Sequence, residues 1–128
     1  MESKQVLVMR NFGKSCRKGK YCSQAAHASV GAVFGIGKIE DNNLIIPLDN
    51  PFVREWITGR FKKVTVYVET DQDLVAVYQQ AKQAGIPCSL IKDAGLTEFN
   101  GVATLTAVGI GPDDPEKIDK ITGHLPLF

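Results

Sequence analysis

Residues 17–28 read Arg17-Lys18-Gly19-Lys20-Tyr21-Cys22-Ser23-Gln24-Ala25-Ala26-His27-Ala28. A basic, glycine-containing turn passes here into an alanine-rich segment of high helix propensity. A helix starting near Gly19 or Lys20 puts Lys20, Gln24 and His27 on one face, because residues three and four apart line up along a helix. Cys22, Ala25, Ala26, Ser29, Val30 and Val33 cover most of the remainder, and these side chains predict close packing on a sheet. A polar stripe on such a helix is either a solvated edge or one wall of a site. Surface helices commonly carry the former.

Working outward, Lys4 to Arg10 is a short apolar run with polar ends, which predicts a buried strand. Asn11 to Gly19 reads as a loop feeding the helix. The helix is expected to reach about Ile36 and stop among Gly35, Gly37 and Lys38. These glycines do not make a phosphate loop: the residue five before Gly37 is Ala32, and Lys38 is followed by Ile39 rather than Ser or Thr. Glu40 to Asp49 is polar then apolar and receives no element. Asn50-Pro51 reads as a cap and first helical residue for a helix to about Thr58. Lys62 to Glu69 is a valine-rich strand. Thr70 or Asp71 caps a helix to Ala84 with Leu74, Val75, Val77, Tyr78 and Ala81 as its apolar face, and Gly85 stops it. Pro87 to Lys92 and Thr104 to Ile110 are further strands, the last closed by Gly111-Pro112. Pro115 to Thr122 is a final helix with acids at its start, where the helix dipole favours them. This order predicts an α/β fold: a single domain over residues 1–128, with a four-stranded mixed β-sheet covered by α-helices on both faces in three layers.

The composition narrows the function. With 128 residues, 44% hydrophobic and 23% charged, the chain has the balance of a globular protein. It has no apolar run near the roughly 20 residues that span a bilayer, so no membrane partner is expected. Met1 to Arg10 lacks the pattern of a signal peptide. Three cysteines without regular spacing argue against a disulfide framework and for a reducing compartment, so the cytoplasm is the expected location. The net charge of +1 hides an asymmetry: residues 1–39 hold seven Lys or Arg against one acid, and residues 40–128 hold eight against thirteen. Five of the basic residues fall between Arg10 and Lys20. That cluster is either a solvated loop or a patch for a phosphate backbone.

Sites in open α/β sheets gather beyond the carboxyl ends of strands. Asp93 sits there, before Gly95, with Thr97 and Glu98 close behind. Asp93 is either a functional carboxylate or the start of an Asx-type turn bonding the backbone of Gly95 or Leu96. Cys16, Cys22, Cys88, His27 and His124 lack zinc-site spacing, so no metal is expected. Cys22 and His27 are roughly 140° apart round a helix and form no local nucleophile pair; Cys22 is expected in the core. No Gly-x-Ser-x-Gly elbow is present.

Taken together, Val6-Leu7-Val8-Met9-Arg10, Gly19-Lys20-x-x-x-Gln24-x-x-His27-Ala28, Leu90-Ile91-Lys92-Asp93-Ala94-Gly95-Leu96-Thr97-Glu98, Thr106-Ala107-Val108-Gly109-Ile110-Gly111-Pro112 and Ile118-Asp119-Lys120-Ile121-Thr122-Gly123-His124-Leu125 occur in one order. In that order they resemble the type 2 peptidyl-tRNA hydrolases, the archaeal and eukaryotic class. Residues 38–60 carry little of the resemblance. Phe12 stands where the family usually has an acid, and the loop before Gly19 is about one residue longer.

The resemblance implies hydrolysis of the ester joining peptide to tRNA, without a cofactor, by a protein that is often a homodimer. It places Lys20, Asp93 and Thr97 at the catalytic centre, with Gln24 and His27 in support. Ester hydrolysis needs an aligned water and donors for a developing oxyanion. Asp93 is therefore expected to orient or deprotonate water, and Lys20 to stabilise the oxyanion or the leaving ribose oxygen. Thr97 would position Asp93 or the water, and His27 would bind or orient. Arg10, Lys14, Arg17 and Lys18 are expected on tRNA phosphates. The opposing reading is a tRNA- or RNA-binding module on the same scaffold that has lost catalysis.

Overall fold

The apolar run Lys4–Arg10 forms strand β1, and its unbroken burial follows from layers on both of its faces. The computed structural model describes residues 1–95 and 99–128. After β1 come α1 (Lys18–Phe34), β2 (Lys38–Glu40), β3 (Asn43–Ile45), α2 (Pro51–Thr58), β4 (Lys63–Val68), α3 (Asp71–Gln83), β5 (Cys88–Asp93), β6 (Thr104–Asp113) and α4 (Pro115–Thr122). Four strands make one mixed sheet in the order β4-β1-β6-β5. β1 runs parallel to β4 and antiparallel to β6, which is antiparallel to β5.

Period-2 alternation along β1 divides the interior. Val6 and Val8 join Val66, Val68, Val108 and Ile110 beneath Leu74, Val77 and Ala81 of α3 and Ile118 and Ile121 of α4. Leu7 and Met9 face the other way, with Ala107, against Ala28 and the partly buried Tyr21 and Ala25 of α1. The result is the expected single α/β domain of three layers; α1 lies on the Leu7–Met9 face, where Ser3 Oγ also donates to the Phe52 carbonyl of α2 at 2.7 Å.

Small residues bring α1 down onto the sheet. A Cβ on Gly109 would run into the Ala28 carbonyl, so no larger residue fits at that crossing. Gln5, fully buried on the same face, donates to the carbonyls of Ser29 and Gly111 at 3.1 Å each and accepts from the Ser29 hydroxyl at 2.5 Å. The helix is therefore held by a satisfied polar pin as well as by packing.

Local signals explain the other boundaries. Asn50 Oδ1 accepts from Phe52 N at 2.9 Å with Pro51 in the first turn, and Thr70 Oγ1 accepts from Asp73 N at 3.1 Å. Asp114 caps α4 ahead of Pro115. At the outer edge of β4, the chain's last residues add an antiparallel bridge, Val66 with Leu127, flanked by Tyr67 N to Pro126 O and Phe128 N to Thr65 O. That covers an edge that would otherwise present unpaired backbone.

Several expectations change. The last strand is not closed by Gly111-Pro112 but runs through them to Asp113. The first helix ends at Phe34 rather than Ile36, where Gly35 N closes on the Gly31 carbonyl. Residues 40–49, for which no element is expected, take part in the β2–β3 hairpin, turned by Asp41 and Asn42 at φ of 52° and 63°. Both of its strands are exposed throughout, so no alternation of burial marks them. The buried face of α1 is made by Gln24, Ala28, Ser29 and Ala32, while Cys22 is exposed rather than in the core. Counting apolar residues assigns Cys22 to the interior, but the packing surface is set by the smallest side chains and by Gln24.

Candidate active site

α1 carries Lys20 and Gln24 one turn apart, and β5 ends on Asp93. Lys20 Nζ lies 2.9 Å from Asp93 Oδ1, and the two side chains are 15% and 14% exposed. Gln24 Nε2 reaches the same Oδ1 at 3.4 Å. The other oxygen, Oδ2, accepts from Gly95 N at 2.9 Å. The Asx turn is therefore present on one oxygen of Asp93, while the other oxygen meets the lysine. Gly95 makes that turn at φ +80°, where a Cβ would also strike the Val102 backbone.

The electrostatics follow from these contacts. The Lys20 hydrogen bond, more than any other influence, holds the Asp93 carboxyl below its ordinary range; burial opposes it, while Gly95 N–H, the Lys20 charge and Gln24 add to the lowering. Asp93 is thus a carboxylate at neutral pH, and a weak base.

Sequence reasoning missed Thr106. Its hydroxyl, on a residue 2% exposed, donates to Gln24 Oε1 at 2.6 Å. Gln24 is itself 3% exposed. With Oε1 engaged by Thr106, the amide must direct its N–H groups toward Asp93. Strict alternation along β6 would put Thr106 on the α3 face with Val108 and Ile110. A register shift in the β5–β6 pairing, where Ile91 opposes Ala107 and Lys92 opposes Leu105, leaves Thr106 as the extra residue and turns it toward α1. Bulges of this kind re-aim single side chains, and nothing in a one-strand pattern announces them.

A cleft of about 500 Å³ opens over this group, lined by Arg17, Gly19, Lys20, Ser23, Gln24, His27 and Asp93. His27 is exposed on its wall. Of the expected phosphate contacts, Arg17 lines the cleft, and exposed Lys14 and Lys18 border a larger, apolar cavity of about 790 Å³ beside Met9, Tyr21 and Phe128. That cavity is bigger, but no Asp or Glu side chain is among its described lining residues, whereas the smaller cleft holds the Lys20–Asp93 pair. Arg10 is half-buried: its Nη1 donates to the Leu105 carbonyl at 3.5 Å and its guanidinium sits 4.8 Å over the Phe12 ring. Thr97, named with Lys20 and Asp93, lies outside the described residues.

Comparison with known proteins gives this chain its family. The family model described as Peptidyl-tRNA hydrolase PTH2 matches residues 3–128. The chain belongs to this family. A protein of Methanocaldococcus jannaschii named peptidyl-tRNA hydrolase is 42% identical over 126 residues, covering 98% of this chain and 99% of that one. The protein of the same name from Methanothermobacter thermautotrophicus is 41% identical over 125 residues, covering 98% and 99%. That from Staphylothermus marinus is 42% identical over 127 residues, covering 99% and 96%. The match takes in residues 38–60, the stretch in which the sequence motifs of the PTH2 family are sparse.

Proposed function

We propose that Lys20 and Asp93 carry the reaction of this chain, the hydrolysis of the ester that joins a peptide to tRNA. The protein is a peptidyl-tRNA hydrolase, releasing peptide and free tRNA. The observation supporting the residue assignment is the 2.9 Å Lys20–Asp93 contact at the floor of an open, basic-edged cleft.

Attack of water on the ester carbonyl develops negative charge on its oxygen and then on the departing ribose oxygen. Lys20 places a cation where either oxygen can be met. Asp93, kept ionised by Lys20, accepts a hydrogen bond from water and orients it; its lowered basicity favours orientation over full proton removal. Gln24, fixed by Thr106, holds Asp93 from the second side. His27 on the wall contacts substrate, and Thr97 belongs with Asp93 by family resemblance. Arg17, Lys14 and Lys18 take phosphates at the acceptor end, giving affinity without base readout. Arg10 is reassigned from phosphate binding to supporting Phe12. The setting we propose is cytoplasmic recycling of tRNA from prematurely released peptidyl-tRNA, by a homodimer.

Hydrolysis of an N-acetylated aminoacyl-tRNA tests the assignment. Lys20→Ala and Asp93→Ala should each lower kcat/KM by about 10²–10⁴-fold, the range expected for a positioned proton-transfer or oxyanion-stabilising group. Full activity of both variants would end the site assignment. A wild-type protein that binds tRNA and leaves the ester intact would end the reaction. Sedimentation of the purified chain tests the homodimer.

A further inference from the structure

Phe12 and Phe99 link the segment before α1, the helix of Lys20, to the segment after β5, the strand that ends on Asp93. Phe12 lies between β1 and α1, and its N–H donates at 2.8 Å to the hydroxyl of Tyr21, the neighbour of Lys20. Phe99 lies on the turn after β5. Gly101 N, two residues on, donates to Gly95 O at 2.9 Å, on the glycine that bonds Asp93. The two rings meet with centroids 4.7 Å apart and planes tilted by 45°. Arg10 lies 4.8 Å over the Phe12 ring and reaches the carbonyl of Leu105, the sheet partner of Lys92.

Simple core packing does not account for this group. Both rings remain half-buried, and neither belongs to the two buried clusters of the core. Phe99 and Asn100 hold φ of 65° and 51°, a backbone region in which a bulky side chain is strained. Such strain concentrates where a side chain is held for use. The surroundings are cationic: residues 10–20 contain five Lys or Arg and no acid.

We propose that the Phe12–Phe99 pair, backed by Arg10, is a stacking platform for the terminal base at the 3′ end of the tRNA acceptor strand. This inference rests on the reaction proposed above. Unpaired terminal bases present π faces on which aromatic side chains stack, and a guanidinium beside the ring adds cation–π attraction. Lys14, Arg17 and Lys18, exposed on the same loop and helix start, suit the phosphates next to that base. The cations favour the nucleotide over a peptide side chain because only the nucleotide brings phosphates to meet them.

The test uses acceptor-stem minihelices carrying an N-acetylaminoacyl ester, one with its terminal base and one whose terminal ribose lacks the base. Wild-type kcat/KM should fall about tenfold when the base is removed. Phe99→Leu and Phe12→Leu should lower cleavage of the intact substrate by a similar factor while cleaving the abasic one as the wild type does. Phe99→Tyr should keep the base dependence. Equal cleavage of both substrates by the wild type would overturn the proposal. So would Leu variants that retain base dependence but change preference between N-acetylglycyl and N-acetylphenylalanyl esters, which would assign the rings to the peptide. Dissociation constants of the two deacylated minihelices give the same comparison without the ester reaction. A wild type that fails to cleave the intact substrate would refute the reaction and leave base stacking separately measurable.

Discussion

Thr106→Val removes one hydroxyl from a place where water does not replace it. Thr106 and Gln24 are 2% and 3% exposed, and their 2.6 Å hydrogen bond is the one that fixes the Gln24 amide. Valine has nearly the shape of threonine, so no cavity opens. The cost is the Gln24 carbonyl left buried without its donor, about 1–3 kcal/mol. At roughly 2.1 cal/mol/K of unfolding entropy per residue, 128 residues give about 0.27 kcal/mol/K. The melting temperature should therefore fall by about 4–11 °C.

A kinetic effect accompanies this destabilisation. The Gln24–Asp93 contact at 3.4 Å is long, so its own strength is small. Once released, however, the amide can turn its oxygen toward the carboxylate and repel it. A several-fold fall in kcat with little change in KM is the expected result, because neither residue is among the exposed cations proposed to hold tRNA. Thermal melts and hydrolysis assays on Thr106→Val, Thr106→Ser, Gln24→Leu and the Gln24→Leu/Thr106→Val double variant decide the matter. Serine keeps the hydroxyl and should rescue kcat. The double variant removes both partners, leaves no orphaned oxygen, and should be more stable than the sum of the singles by about 1 kcal/mol or more. A Thr106→Val protein that melts within a degree of wild type, or strict additivity in the double variant, would refute the reasoning.

Other consequences follow from the same geometry. Carboxyl NMR should find Asp93 titrating below its ordinary value of 3.8 and rising in Lys20→Met, since the Lys20 hydrogen bond is the main cause of the lowering and burial acts the other way. Because the folded-state value is depressed, the associated stability is present above the unfolded value and lost as pH falls through the folded one; the stability gap between wild type and Lys20→Met should close on acidification below about 4. Alanine at Lys14, Arg17 or Lys18 should weaken tRNA binding for every sequence and reduce the log–log salt slope by about 1 for each phosphate that the variant no longer neutralises. Gly109→Ala should destabilise by about 1–3 kcal/mol or more, as its Cβ meets the Ala28 carbonyl. Gly19→Ala, in helix α1 with nothing within 4 Å of the new Cβ, should raise the melting temperature.

Much of the fold is legible in the sequence because its signals are local. Asn50-Pro51, Thr70 and Asp114-Pro115 each combine a capping side chain or a proline with a following helical pattern, and each starts a helix where that chemistry demands. The Lys4–Arg10 run stays apolar on both faces because it lies inside the sheet. The β2–β3 hairpin has a weaker signal. Asp41 and Asn42 tolerate the left-handed turn, but Ile39, Leu44 and Ile45 remain at least 40% exposed, so the strands lack the burial contrast that makes a pattern. The orientation of α1 is also hidden, because a helix of small residues offers several faces and the sheet selects the one containing Gln24.

That selection explains why the candidate site is only half visible in the chain. Lys20 and Asp93 are 73 residues apart, and no spacing rule joins them; only the order of motifs does. The reason for burying Gln24 lies in where its two ends go. Its oxygen is tied to Thr106 and its nitrogen faces Asp93, so a buried amide links the strand bulge to the carboxylate. An alanine at residue 24 would leave a void beneath the helix, the Thr106 hydroxyl without its Gln24 partner, and Asp93 without its Gln24 contact. The polar stripe is thus neither a solvated edge nor a uniform wall: Lys20 meets Asp93 in the cleft, His27 lines it, and Gln24 supports Asp93 from beneath.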